Sequence, residues 1–291
     1  YLRVAELGSF AAVARQMNLA RSVITRQVAA LEAHLGVKLI ARSTRSLTLT
    51  SAGGVYLERC RQILKLVDAA ESGLADERQD PRGPIRLSVP LSFGLRHLAP
   101  LLMDFSVAYP EVTMEIDFTD RRVKLVEESL DLAVRITSLL APLDVARRIG
   151  NSRLLAVASP EYLLRHGEPL HPGDLGQHEC LIYQPAQQGG WPFLVEGVTE
   201  VIPVRGRMRA NNGDILLDAA IRGLGITVQP SFLSAAAVAA GLLRPILSDY
   251  PMPELGIYTL LPDNRYVPQR VRMLIDYLAE RLDFRLARKT A

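Results

Sequence analysis

Cysteine is almost missing from this 291-residue chain: Cys60 and Cys180 are the only two, and they lie far apart, in regions read below as separate domains. A structural disulfide is therefore not expected, and the setting reads as reducing and cytoplasmic. No apolar run approaches the roughly 20 residues needed to cross a bilayer, so no transmembrane helix and no membrane partner is expected. The G-x-S-x-G elbow, the P-loop and the dinucleotide G-x-G-x-x-G are absent as well. Catalysis thus has little support, and no catalytic residue, metal or cofactor is assigned. What is present is ordinary for a globular protein, with 48% hydrophobic and 22% charged residues, and the length predicts about two domains. The chain begins at Tyr1 rather than Met, inside what should be the first helix of the first domain.

The most informative stretch is FAAVARQMNLARSVITRQVAALEAHL, 10–35. Ile24, Val28, Leu31 and Leu35 recur at helical spacing and define one apolar stripe. Arg21, Ser22, Thr25, Arg26 and Ala29 then face away from it, leaving a small, hydroxylic and basic outer surface. Small residues allow close approach to a major groove, Arg can fork onto a guanine edge or a phosphate, and Ser or Thr can bond either. In the preceding helix Ser9 is the expected N-cap, Phe10, Val13, Ala14 and Met17 form the inner side, and Asn18 suits a left-handed turn. Two helices so closely joined form a helix-turn-helix, a pattern that also occurs in helical domains that never touch DNA.

The flanking sequence favours DNA. VKLIARSTRSLTLT, 37–50, reads as two β-prone runs around a basic, hydroxyl-rich tip at Arg42, Ser43, Thr44, Arg45 and Ser46. Residues 1–50 hold seven basic and two acidic side chains, a net charge of +5 against +3 for the whole chain. A basic head on a slightly acidic body is the footprint of a nucleic-acid module attached to something else.

The run AELGSFAAVARQMNLARSVITRQVAALEAHLGVKLIARSTRSLTLTSAG resembles the winged helix-turn-helix of the LysR-type transcriptional regulators. The most specific parts are the GSF start, the L-x-x-x-L-G-x-x-L-x-x-R run from Leu31 to Arg42, and L-T-x-A-G from Leu49 to Gly53. Thr25 stands where that family commonly has Ser, Ala20 and Arg21 replace a frequent Ser-Gln pair, and Gly54 follows Gly53 where a better helix former is usual. These departures bear on which DNA sequence is read. Ala20, Arg21, Ser22, Thr25, Arg26, Arg42, Thr44 and Arg45 are the candidate DNA-contact residues.

Beyond the wing, Thr50 or Ser51 should cap a helix reaching about Glu77. Tyr56, Cys60, Ile63, Val67, Ala70 and Leu74 alternate steps of four and three along it, a heptad seam that predicts self-pairing in a homodimer or homotetramer. DERQDPRGP, 76–84, is charged, closed by two prolines around a glycine, and reads as a boundary. After it strands alternate with helices, which predicts parallel α/β lobes. Expected strands include 85–89, 114–118, 130–136, 154–158, 201–204, 226–228 and 255–261. Expected helices begin at Ser92 and lie near 124–128, 214–222 and 267–282. The resemblance implies two lobes of the periplasmic-binding-protein type, with the last helix returning to the first. The expected organisation is a winged helix-turn-helix in 1–50, a linker and dimerisation helix in 51–78, a hinge in 79–84, lobe 1 in 85–160 plus 266–282, lobe 2 in 161–265 and a tail in 283–291.

Such sheets bind small molecules at strand carboxyl ends beside helix starts. Ser92 and Phe93, Arg135, and Asn211 with Asn212 meet that description. The same residues also suit N-caps and a structural ion pair, and the resemblance, whose effector cleft lies at matching positions, tips them towards ligand contact. A helix start and a guanidinium favour an anion, and Phe93 adds an apolar face, so a small organic acid is the expected effector. His166, His171, His178, Glu168, Asp174, Glu179 and Cys180 cluster in sequence, but prolines and glycines among them point to a surface loop rather than a metal site. Trp191 reads as a packing anchor. The combined reading is an effector-responsive regulator that binds double-stranded DNA, with RNA polymerase as a further candidate partner. The alternative is a solute-binding receptor of the periplasmic type, which would share the lobes without needing the basic head.

Overall fold

Apolar spacing near the N-terminus becomes three short packed helices. In the computed structural model, which describes residues 1–42, 47–74, 81–141, 145–184, 190–262 and 267–282, α1 (Leu2–Leu7) ends at the left-handed Gly8. In α2 (Phe10–Gln16) Ser9 is the N-cap and accepts the Ala12 N–H at 3.2 Å. Asn18 takes the turn at φ 52° and leads into α3 (Arg21–Leu35). Val4, Phe10, Val13, Ala14, Ile24 and Val28 bury together with Leu39 and Ile40. The inner stripe is shorter than its spacing predicts, since Met17 is 46% exposed and Leu35 is exposed too. Among the described residues, neither belongs to this small core.

The wing is β1 (Ile40–Arg42) paired antiparallel with β2 (Leu47–Leu49). Its tip, 43–46, lies outside the described residues. Thr50 caps α4 (Ser51–Leu74), accepting the Gly53 N–H at 2.9 Å while donating to the Lys38 carbonyl. These elements form one compact unit, Tyr1–Gln79, and 80–291 form a second.

In the second unit β3 (Gly83–Val89) leads through α5 (Leu91–Phe93), a π-helical turn at Gly94–Leu98 and α6 (Ala99–Ala108) to β4 (Val112–Phe118), β5 (Leu132–Thr137) and β6 (Val145–Ser152). Next come β7 (Leu154–Ala158), α7 (Pro160–His166), a 3₁₀ turn at Pro172–Gln177, β8 (Cys180–Tyr183), β9 (Trp191–Val195), β10 (Val198–Ile202), β11 (Arg209–Ala210), α8 (Gly213–Ile221), β12 (Ile226–Pro230), α9 (Ser231–Ala239) and β13 (Arg244–Ile246). The chain returns through β14 (Leu255–Leu261) and α10 (Gln269–Arg281). One five-stranded sheet has the order β4-β3-β5-β14-β6, the other β11-β8-β12-β7-β13. Helix α10 packs Val271, Leu274, Ile275 and Leu278 into the core of the first sheet, as expected for a last helix that returns to lobe 1.

Several expectations need correction. The sheets are mixed rather than parallel: β14 runs antiparallel to β5 and β6, and β7 antiparallel to β12 and β13. Residues 154–158 belong to the second lobe and 255–261 to the first, so the lobe boundaries drawn at 160/161 and 265/266 move to Arg153 and to the stretch between β13 and β14. The first crossover leaves no usable mark because β6 passes into β7 through Arg153 alone, and the turn-like Gly150, Asn151 and Ser152 ahead of it lie inside β6. The expected helix at 124–128 is a hydrogen-bonded turn held by the Arg121–Glu128 ion pair. The strand expected at 201–204 is the end of the β9–β10 hairpin. Gly83 and Pro84, read as hinge, already pair with Val112 and Thr113.

Candidate nucleic-acid interface and ligand cleft

Helix α3 presents the surface that its spacing predicts. Ile24 and Val28 are buried, whereas Arg21, Ser22 and Arg26 are exposed and Thr25 is half-buried. Ala20, the residue at the N-cap, makes no side-chain cap bond, and the first turn carries no acid. The first-turn N–H groups, which no side chain caps, and Arg21 therefore sit together at the helix start, where partial positive charge favours phosphate. Thr44 and Arg45 fall outside the described residues, as does the Arg42 side chain.

The helix is held against the wing by a buried acid, Glu32, for which no local sequence pattern predicts this role. Glu32, 4% exposed, accepts the Leu39 and Ile40 N–H groups at 3.0 Å each and the Lys38 ammonium at 2.9 Å. Burial opposes the charged form, but these bonds outweigh it and keep the carboxyl below its ordinary range. Gly53 shows why a small residue belongs at the start of α4: a Cβ there would lie 2.0 Å from the Leu39 carbonyl oxygen.

In the second unit, α5 and the π-helical turn of lobe 1 meet α8 and α9 of lobe 2. Ser92, buried, donates its hydroxyl to the Asp214 carboxylate, and Arg96 bonds the other oxygen of that carboxylate at 2.5 Å. Asp214 lies in the first turn of α8, whose N-cap is Asn212; the Asn212 side chain accepts the N–H groups of Asp214 and Ile215 at 3.0 and 3.3 Å. Burial works against ionised Asp214, but Ser92 and Arg96 hold its carboxyl below the usual value. Asn211 is exposed just before this cap. Arg135, in β5, donates to the Val134 carbonyl at 2.6 Å and to Ser88 Oγ at 2.9 Å. Burial lowers the affinity of Arg135 for its proton, and the nearby carboxylates of Asp120 and Asp117 oppose that. Asp120 accepts the Leu91 N–H at 3.0 Å. Its carboxyl is pushed up by burial, against the effects of that bond and of Arg135. Tyr183 is raised to about 12 by burial and by Asp120.

The structure thus brings Ser92 and Asn212 together around Asp214, while Arg135 bonds Val134 and Ser88 and bears on the site through its charge near Asp120. Phe93 behaves differently. At 3% exposure it stacks on His97 and meets Phe232 of α9 edge-on with ring centroids 5.0 Å apart, so it packs lobe against lobe. Asp214, Arg96 and Asp120 were missed. The readable signal for Arg96 was its spacing of four from Ser92, which puts both on one helix face. No local pattern pairs Asp214 with either, because 122 positions separate it from Ser92.

The histidine-rich segment is built by local caps. His171 Nδ1 accepts the Gly173 N–H, Asp174 accepts the Leu170 and His171 N–H groups, and Tyr162 Oη lies 3.2 Å from His178 Nδ1. No group of three or more His, Cys, Asp or Glu side chains converges as a metal site among the described residues. Trp191 is fully buried in the core of lobe 2. No helix among the described residues is long and apolar enough to cross a membrane.

Comparison with known proteins agrees with both halves. Residues 1–54 match the family described as bacterial regulatory helix-turn-helix protein, lysR family, and residues 78–283 match the LysR substrate binding domain. An HTH-type transcriptional regulator of Xanthomonas campestris pv. campestris is 33% identical over 289 residues, covering 98% of this chain and 84% of that protein. The full-length structure of AphB, the Vibrio cholerae virulence activator, aligns with a TM-score of 0.62 at 30% identity over 97% of each chain. CrgA of Neisseria meningitidis gives 0.62 at 31% identity, over 97% of this chain and 96% of that one. A DNA-binding head and an effector domain in one chain set aside the receptor alternative: the protein belongs to the LysR-type transcriptional regulators, as a transcription regulator that responds to a small-molecule effector and not as an enzyme.

Proposed function

We propose that this regulator reads duplex DNA through Arg21, Ser22, Thr25 and Arg26 in the major groove, with Ala20 allowing close approach and Arg42, Thr44 and Arg45 of the wing reaching phosphates or the minor groove. The exposed, acid-free first turn of α3 opposite buried Ile24 and Val28 is the observation that supports this most. Such a regulator works where the chromosome is, in the cytoplasm, on its own operator and with RNA polymerase as a further partner. It acts as a homodimer or homotetramer through α4, where Ile63 and Val67 of the seam are 59% and 44% exposed in the single chain.

Its effector is a small organic acid received at Ser92 and Asn212, with Arg135 and Asn211 at the border of the site and Phe93 as apolar support. Footprinting on the DNA upstream of its own gene and its neighbours tests the DNA half. A protected interrupted inverted repeat that Arg26→Ala weakens is the expected result. Protection unaltered by both Arg21→Ala and Arg26→Ala would overturn the assignment of this face.

A further inference from the structure

The cleft already contains an acid of its own. Asp214 belongs to lobe 2, whereas Ser92 and Arg96, the two groups that bond its carboxylate, belong to lobe 1. A hydroxyl and a guanidinium converging on one carboxylate are the donors that an incoming organic acid would need. The Arg96 and Asp214 side chains are 50% and 35% exposed, so solutes reach the pair, and an ion pair this open to water is weakly held. Asp120 places a second carboxyl near Asp214, and burial together with the Asp214 charge holds that carboxyl above its ordinary range.

Resting on the reading of this cleft as an acid receptor, we propose that Asp214 is its resident counter-anion: it occupies Ser92 and Arg96 in the effector-free chain, ties the lobes together, and is displaced by the effector's carboxylate. Exchange of one carboxylate for another conserves the hydrogen bonds in lobe 1. What changes is lobe 2, because Asp214 and the start of α8 lose their attachment to lobe 1. An effector can shift the lobes only by its preference for the state in which Asp214 has left. The internal acid also sets a threshold of affinity that weak or wrongly shaped acids fail to exceed.

The test uses the full chain with sodium succinate and sodium benzoate, titrated calorimetrically at constant ionic strength. In Asp214→Asn the amide oxygen can still accept from Ser92, so the local fold is conserved, but the competing charge is gone. This variant is expected to bind at least one of the two salts at least tenfold more tightly than the parent, and addition of Arg96→Ala should remove the gain. Asp218→Asn, one turn further along α8 and exposed, controls for net charge and should stay within twofold of the parent. Hydrogen exchange at 213–221 should be faster in Asp214→Asn without any ligand. No tightening for either salt, or an equal gain in Asp218→Asn, would overturn the counter-anion. If Ser92→Ala weakens binding while Asp214→Asn does not tighten it, the acid-receiving cleft survives and only the counter-anion falls. If no variant changes the binding of either salt, or nothing binds, both fall.

Discussion

Glu32 carries more of the N-terminal unit than its single charge suggests. Two backbone N–H groups at the start of the wing depend on it, and buried donors left without partners cost about 1 to 3 kcal/mol each. Glu32→Ala should therefore destabilise this unit by at least about 2 kcal/mol in chemical denaturation. Because the carboxyl is held below its ordinary value in the fold, its contribution is present above the unfolded carboxylate range and is lost as pH falls through the folded value. The gap between parent and Glu32→Ala should accordingly close in acid, and a gap independent of pH would contradict this account. Neighbouring glycines offer a sharper contrast. Gly54→Ala has open space and should stabilise α4 by up to about 1 kcal/mol. Gly53→Ala drives a methyl into the Leu39 carbonyl and should cost about 1 to 3 kcal/mol or more. Melting temperatures that move in the same direction for both would refute the packing argument. Cys180, fully buried with its thiol pushed up to about 12 by burial, should resist maleimide labelling until the chain is denatured.

Along α4 the proposed seam runs from half-buried to exposed positions. Tyr56 and Cys60 are half-buried, and Ile63 and Val67 are exposed on a helix of 24 residues. The side chains of Ala70 and Leu74, which continue the seam, lie outside the described residues. Ile63→Asp should put a charge into the paired seam and cost several kcal/mol of association, an effect of about 3 to 5 kcal/mol being typical of an uncompensated buried charge. Sedimentation would then show a smaller oligomer, and an unchanged one would mean that the seam is misplaced. For the wing, Arg45→Ala should weaken all duplexes evenly and lower the salt slope by about 1, whereas Arg26→Ala should cost about 1 to 3 kcal/mol chiefly on the operator. Titrations on specific and random duplexes at several salt concentrations separate the two.

The proposed pairing through α4 implies two-fold symmetry in the DNA site. Half-sites should lie about 34 Å apart, one helical turn, or a multiple of that distance. Insertion of half a turn between the half-sites, about 5 base pairs, should weaken binding strongly, and a full-turn insertion should weaken it less. Equal affinity for both insertions would show that each head binds alone.

Elements whose information is local are legible in the chain. Ser9, Asn18 and Thr50 mark helix ends, Ile24 and Val28 mark a buried face, and Arg21, Ser22 and Arg26 mark its opposite, because capping and periodicity act over three to seven residues. Ser92 and Asn212 were legible for the same reason, as residues at helix starts. The rest follows from contacts between segments distant in the chain. Assignment of 154–158 and 255–261 to their sheets, the antiparallel return of β14 and the placement of Phe93 between lobes depend on pairings made after long excursions of chain. So does the acid seated on Ser92 and Arg96, since Asp214 reaches them only when the second lobe has folded beside the first. A hydrogen bond between residues 122 positions apart leaves no periodic trace in either segment, because each partner is equally well placed as an ordinary surface or capping residue until the two lobes meet.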